Sequence, residues 1–163
     1  MMKPHWESTR ITLQTRLGTE IDNEQNHVIS QSQLNQCAKA AEEHKSVVFR
    51  SEPTGIYNCH GIVFASRRTC ILSEQDVQTI LKEDNYAEVP SEKDVLPGDV
   101  AIYYDETGEI THTGIVLEPP SDENLKVPLI LSKWGRYKEA IHLLRQCPRQ
   151  YGPAKVRYYR IMK

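Results

Sequence analysis

In the first half of the chain the apolar residues recur at helical spacing. Between residues 30 and 45 they fall three or four positions apart, and a serine at the start is a suitable N-cap. This pattern predicts a helix whose apolar side consists of Leu34, Cys37, Ala38 and Ala41.

A second helix is expected from Cys59 to about Cys70, after a Pro- and Gly-bearing loop over 51–55. A third helix begins after Ser73 and carries the apolar stripe Val77, Ile80 and Leu81.

The second half of the chain has the short apolar runs and turn residues that are typical of strands. Val100–Tyr104 and Ile110–Glu118 flank a Gly-containing turn and predict a hairpin. Three more strands are expected, over 128–134, 137–144 and 156–161, whereas 86–97 is interpreted as a surface connection. The order predicts an α+β fold with N-terminal helices packed on an antiparallel sheet of about five strands.

The amino-acid composition indicates a globular protein. The chain has 163 residues, of which 39% are hydrophobic and 26% charged, as expected for one globular domain. We interpret residues 1–29 as an N-terminal extension and 30–163 as the domain. No apolar run approaches the roughly 18 residues that span a bilayer, so no membrane partner is expected. Residues 1–8 lack the apolar core of a signal peptide, so a cytoplasmic location is expected.

Charge is distributed unevenly along the chain. Residues 74–124 hold 14 acidic side chains and two lysines, whereas 133–163 hold nine basic side chains and one acidic. Such asymmetry can indicate a nucleic-acid surface. In the second segment, however, basic residues alternate with apolar ones as on a half-buried strand. We therefore expect the two segments to lie together and partly neutralise each other, and we do not expect nucleic acid as a partner.

The cysteines do not form a recognisable disulfide or zinc pattern. No CxxC pair is present and the spacings are irregular, so reduced thiols and no cofactor are expected. A metal site made of Cys59, His60, His112 and Cys147 is a formal alternative, but no two ligands have the spacing of a local metal-binding pair. The four cysteines are Cys37, Cys59, Cys70 and Cys147.

Cys59 is the candidate nucleophile. It follows a Gly-bearing loop and opens a predicted helix, where unpaired N–H groups and the positive end of the helix dipole favour a thiolate. The backbone N–H of Cys59 is then the natural oxyanion donor, with Tyr57 or Asn58 as a second one. The alternative for Tyr57 is an aromatic ring that closes the loop.

A cysteine nucleophile needs a base, and His112 is the candidate. It lies near the start of a predicted strand, two residues before Gly114, which leaves room for a helix to approach. A single histidine more often has a structural role than a catalytic one, but the pairing with Cys59 makes a catalytic role the favoured interpretation of His112. His60 is the rival base. It directly follows Cys59, so on a helix its side chain points about 100° away, and we expect it to line a substrate pocket or support the site.

A third group should hold the base in the correct tautomer. Ser132 on the next strand is the candidate, with Lys133 and His142 as alternatives, and the alternation of strand side chains puts Ser132 and Lys133 on opposite faces. Trp134 can shield a polar partner of histidine from water, and it can also simply be part of the core. Ser132 can equally be an ordinary strand hydroxyl.

Two blocks of this sequence resemble the papain-like cysteine peptidases of the NlpC and CHAP type. Asn58-Cys59-His60-Gly61 stands where the family has Asp-Cys-Ser-Gly, and Pro97-Gly98-Asp99 followed by His112-Thr113-Gly114-Ile115 is similar to the family's second block. The string Ser132-Lys133-Trp134-Gly135 is similar to Asn-Ser-Trp-Gly of papain. The resemblance covers roughly residues 30–144. It implies a papain-like fold with Cys59 as nucleophile, His112 as base and a polar residue on the next strand as orienter.

The sequence departs from that pattern around the cysteine and at the third residue. Asn58 and His60 replace the usual Asp and Ser, and Ser132 is not a His, Asn or Gln. An Asn-Cys pair also occurs in the lecithin-retinol acyltransferase branch, but there the histidine precedes the cysteine, whereas His112 follows Cys59. The departures bear on the substrate more than on the fold.

These observations predict a thiol hydrolase that cleaves an amide or peptide bond through an acyl-enzyme. Its partner would be a peptide or amide substrate, such as a protein or a cell-wall peptide. One alternative is a papain-like module used for binding, since a fold by itself does not establish activity. Another is a glutamine deamidase or acyl transferase that uses the same site.

Overall fold

The structure is a computed structural model that describes residues 8–163. Within these residues the chain forms three α-helices, ten β-strands and two short 3-10 turns. The helices are α1 (Gln31–Glu43), α2 (Cys59–Phe64) and α3 (Glu74–Glu83). The strands are β1 (Ser8–Thr9), β2 (Asn23–Asn26), β3 (Val48–Phe49), β4 (Cys70–Ile71), β5 (Tyr86–Val89), β6 (Val100–Tyr104), β7 (Ile110–Glu118), β8 (Leu129–Lys133), β9 (Glu139–Leu143) and β10 (Lys155–Ile161).

The strands form two antiparallel sheets. The main sheet has seven strands in the order β3-β9-β8-β7-β6-β10-β5, and a small sheet has the order β1-β2-β4. This confirms the predicted α+β class with an antiparallel sheet. The sheet is larger than expected because two edge strands, β3 and β5, extend it. Both are too short to show a clear alternation in sequence, and β5 lies within the region predicted to be a surface connection.

Helices α1 and α3 begin at the positions that their serine N-caps indicate in the sequence. Ser30 and Gln33 form a reciprocal capping box at the start of α1, and Ser73 accepts a hydrogen bond from the Asp76 N–H at the start of α3. In α3 the predicted stripe is buried at Val77 and Ile80. In α1 only Cys37 is buried, so most of its predicted apolar side is not core.

Helix α2 is shorter than the sequence suggested. It ends at Phe64, and Cys70–Ile71 is strand β4 rather than helix. Ser66 and Arg67 both adopt positive φ values, 49° and 65°, and this left-handed turn sends the chain back alongside the helix. Gly61 permits the close approach, because a Cβ there would lie 1.9 Å from the Thr69 carbonyl oxygen.

Helix α2 packs against the middle of the main sheet. Tyr57, Ile62 and Leu131 form a buried cluster between them. Of the predicted N-terminal extension, residues 1–7 lie outside the described residues. Strand β2 pairs with β4, so residues 23–26 add a strand to the structure that surrounds α2.

The acidic and basic segments neighbour each other, as expected. Strand β10 lies between β5 and β6, and it brings Arg157 to 3.7 Å from Glu88 and Arg160 to 2.7 Å from Asp99. These contacts confirm mutual neutralisation of the two segments. Among residues 8–163 no helix is both long and apolar enough to cross a bilayer.

Candidate active site

Asn58 fixes the position of Cys59 at the start of α2. The Asn58 Oδ1 atom accepts hydrogen bonds from the Gly61 N–H at 2.9 Å and the Ile71 N–H at 3.1 Å, and its Nδ2 donates to the Ile71 carbonyl at 2.7 Å. The side chain is therefore a helix cap that also ties α2 to β4. It is not a free oxyanion donor, contrary to one expectation, whereas the backbone N–H of Cys59 lies in the first helical turn, where N–H groups have no partner within a helix.

Two imidazoles lie near the Cys59 thiol. The Nδ1 atom of His60 is 3.7 Å from the sulfur. His112 also acts on the sulfur through its charge. The structure thus brings together the predicted pair, Cys59 and His112. It also differs from the sequence argument that His60 points away from the thiol, since the ring folds back onto the sulfur of its neighbour.

The two imidazoles give Cys59 its chemical character. Burial by itself raises the pKa of the Cys59 thiol, but the charges of His60 and His112 outweigh burial and hold the pKa well below its ordinary value. Burial raises the pKa of Cys70 and of Cys147 to about 11 instead. The direction of its pKa shift therefore distinguishes Cys59 from both of these thiols.

Thr113 links His60 to the backbone of Cys59. Its hydroxyl donates to the Cys59 carbonyl oxygen at 3.0 Å, and the His60 Nδ1 atom lies 2.9 Å from the same hydroxyl oxygen. The pKa of His60 is raised: burial lowers it, but the charge of Cys59, the hydrogen bond to Cys59 and the charge of Glu74 outweigh burial. One nitrogen of His60 thus contacts both the Cys59 sulfur and the Thr113 hydroxyl.

His112 is held by aromatic packing rather than by hydrogen bonds. Its ring stacks on Tyr151, with centroids 4.2 Å apart, and meets Tyr103 edge-on at 5.2 Å. In residues 8–163 neither ring nitrogen of His112 has a well-formed hydrogen bond. Its charge nevertheless contributes to lowering the pKa of the Cys59 thiol.

Ser132 does not orient His112, and the expectation that it would is wrong. Its hydroxyl donates to the Nε2 atom of His142 at 2.7 Å and accepts from the indole N–H of Trp134 at 3.1 Å. His142 donates through Nδ1 to the Leu143 carbonyl at 2.8 Å, which leaves Nε2 as the acceptor. Burial lowers the pKa of His142 to about 4, so this closed network is neutral.

Lys133 and Tyr57 are also occupied. Lys133 is fully buried, and its ammonium donates to the Thr54 and Gly135 carbonyls at 2.8 and 2.6 Å. Burial lowers the pKa of Lys133 to about 8. The Tyr57 hydroxyl donates to the buried Glu139 carboxylate at 2.6 Å. As predicted, Lys133 and Ser132 have different partners on the two faces of β8, and neither Lys133 nor Tyr57 is a free oxyanion donor.

Cys59 and His112 are both buried. Cys59 is 9% exposed and His112 is 0% exposed. A surface pocket of about 220 Å³ opens beside α1, and its walls include Trp134, Gly135 and Tyr151. Because Tyr151 also stacks on His112, this residue separates the pocket from the base.

Sequence reasoning missed two residues of this site, Thr113 and Tyr151. Alternation puts neighbouring strand residues on opposite faces, so the choice of His112 as base argued against Thr113 in the sequence. Tyr151 belongs to a 3-10 turn and no pattern marked it. Within residues 8–163 no three His, Cys, Asp or Glu side chains are grouped to hold a metal ion.

Comparisons of this chain with known protein families, with curated proteins and with solved structures found no match.

Proposed function

We propose that this protein is a thiol hydrolase of the papain-like type, similar to the NlpC and CHAP peptidases, which cleaves an amide or peptide bond. One observation carries the proposal. The sulfur of Cys59, at the first residue of α2, lies 3.7 Å from one imidazole and interacts with a second on β7. A thiolate beside a histidine with free nitrogens is the arrangement that covalent catalysis by cysteine requires.

The first half of the reaction forms an acyl-enzyme. Cys59 gives its proton to His112 and its sulfur attacks the carbonyl carbon, so that an S–C bond forms and the carbonyl electron pair moves to the oxygen. The Cys59 N–H donates to that oxyanion. When the oxyanion collapses, the C–N bond breaks and His112 returns the proton to the leaving nitrogen.

The second half restores the thiol. His112 takes a proton from water, the hydroxide attacks the acyl carbon, the S–C bond breaks to release the carboxylic acid, and His112 returns its proton to the sulfur. If an amine replaces water, the same acyl-enzyme leads to transfer. If the amide belongs to a glutamine side chain, the product is a deamidated protein. The shared first step explains why all three reactions fit this site.

Selective alkylation tests the proposal. At about pH 6, where an ordinary thiol is protonated, iodoacetamide should label Cys59 and leave Cys70 and Cys147 unlabelled, as read from peptide masses. Cys59→Ala should remain folded and lose turnover of peptide mixtures by about 10³-fold or more. New peptide termini indicate hydrolysis, whereas the small mass increase of an amide converted to an acid indicates deamidation. Equal labelling of the three cysteines would contradict the proposal.

A further inference from the structure

We propose that His60 is the hydrogen-bond donor that holds Cys59 as a thiolate, that Thr113 fixes the donor proton on the Nδ1 atom of His60, and that His112 alone carries the proton of the reaction. This inference rests on the proposed function and divides its chemistry between two imidazoles. It assigns a task to His60 and to Thr113.

The argument begins with the single proton of the Thr113 hydroxyl. A carbonyl oxygen can only accept, so the contact of 3.0 Å from the Thr113 Oγ1 to the Cys59 carbonyl uses that proton. Toward His60 the same oxygen can then only accept. The contact of 2.9 Å therefore requires a proton on the Nδ1 atom of His60.

The same nitrogen faces the thiol. The His60 Nδ1 atom lies 3.7 Å from the Cys59 sulfur, within reach of a hydrogen bond to sulfur. A nitrogen that already carries a proton cannot take one from the thiol, but its single N–H can be shared in a three-centre hydrogen bond between the Thr113 oxygen and the thiolate. His60 therefore stabilises the negative sulfur and does not act as the base on this side of the ring.

His112 has the opposite properties. Its nitrogens make no well-formed hydrogen bond within residues 8–163, and its ring is positioned by stacking on Tyr151 and by the edge of Tyr103. No competing donor or acceptor fixes where its proton lies. Of the two imidazoles, His112 is the one that can gain and lose a proton during the reaction.

Other groups near this pair act through charge. Glu74 at the start of α3 favours a charged His60. Lys133 on β8, Cys70 on β4 and Tyr151 in the 3-10 turn each interact electrostatically with Cys59. The largest influences on the Cys59 pKa are burial, His60 and His112. Substitution of His60 should therefore change the thiol directly.

The test is the pH dependence of Cys59 alkylation by iodoacetamide, followed by peptide mass. In the wild type the rate should rise through a midpoint well below that of an ordinary thiol. His60→Leu should raise that midpoint by about one pH unit or more, which is about a tenfold loss of rate at acidic pH. Thr113→Val should raise it as well, and Thr113→Ser, which retains the hydroxyl, should restore the wild-type profile.

Several outcomes separate the two ideas. If His60→Leu and Thr113→Val leave the midpoint unchanged while His112→Leu raises it, the division of roles is wrong but the thiolate of the proposed function stands. If the wild-type midpoint lies at the ordinary thiol value, the proposed function fails and this inference fails with it. Should His60→Leu not fold, as judged by thermal unfolding, the Thr113→Val and Thr113→Ser pair decides the matter, because both keep His60.

Discussion

The ring of Tyr151 lies flat on the ring of His112, with centroids 4.2 Å apart and an angle of 13° between the planes. Tyr151 also forms part of the wall of the pocket beside α1. Its pKa is raised by burial and by the charge of Cys59, which places it within the electrostatic range of the thiol. One side chain thus positions the base and closes the site.

Removal of this cover should expose the reactive pair. Tyr151→Ala should increase the rate of Cys59 alkylation several-fold at neutral pH, because reagent can then reach the sulfur from the pocket. Tyr151→Phe keeps the stacked ring and is the matched control, which should behave like the wild type. An unchanged rate in a folded Tyr151→Ala protein would show that access to Cys59 follows another route.

Ser132 offers a test of which polar residues belong to the site. Ser132→Ala removes the partner of both His142 Nε2 and the Trp134 indole N–H in the interior, so it should lower the free energy of unfolding by about 1–3 kcal/mol. Turnover at a temperature where the variant is folded should change little, because Ser132 does not hydrogen-bond His112.

His112→Asn is the comparison for Ser132→Ala, and loss of the base should cost about 10²–10⁴-fold in turnover. Urea unfolding gives the stability and a peptide assay gives the rate. A Ser132→Ala protein as inactive as His112→Asn would restore Ser132 as the orienting residue.

Glu139 should make the free energy of unfolding depend on pH in the acid range. It is 3% exposed, and it accepts hydrogen bonds from Tyr57 and Arg67 and pairs with Arg50. Burial raises its pKa, but the Arg67 and Tyr57 hydrogen bonds and the two arginine charges outweigh burial and lower it. Because the folded pKa lies below the unfolded value of about 4.3, this stabilisation is complete above that pH and is lost as the pH falls through the folded pKa.

Glu139→Gln should therefore lower the free energy of unfolding by about 3 kcal/mol at neutral pH, and its difference from the wild type should shrink in acid. Glu88→Gln is the control. Glu88 pairs with Arg157 at the surface, where an ion pair contributes at most about 1 kcal/mol. Urea unfolding across the acid range measures both. A difference for Glu139→Gln that is independent of pH would contradict the assigned role.

Gly61 should be intolerant of a side chain. A Cβ at this position would lie 1.9 Å from the Thr69 carbonyl oxygen, which is backbone and cannot turn aside. Gly61→Ala should therefore cost about 3 kcal/mol or more by forcing α2 away from the turn that leads to β4. Gly108 has φ +88° and no atom within 4 Å of its would-be Cβ, so Gly108→Ala should cost only the strain of about 1–2 kcal/mol. If Gly61→Ala and Gly108→Ala lower the free energy of unfolding equally, the loss at Gly61 comes from backbone conformation and not from the contact with Thr69.

Local features of the sequence were sufficient for much of the fold. The serine caps of α1 and α3 act on N–H groups three residues away, and the hairpin of β6 and β7 joins neighbouring strands, so each is specified within a short window. The same locality explains why β5 was missed. Its four residues are a strand only because β10, some 70 residues later, pairs with them.

The candidate nucleophile and base were visible in the sequence, because a cysteine that opens a helix and a histidine near a strand start are local patterns. Only the tertiary structure decided that His60 contacts the sulfur and Thr113, that Ser132 belongs to His142 and Trp134, and that Tyr151 covers the base. The physical reason is that each of these relations depends on side-chain rotamers and on how separate elements pack. Residue types and spacing determine which groups are present, whereas packing determines which of them hydrogen-bond to one another.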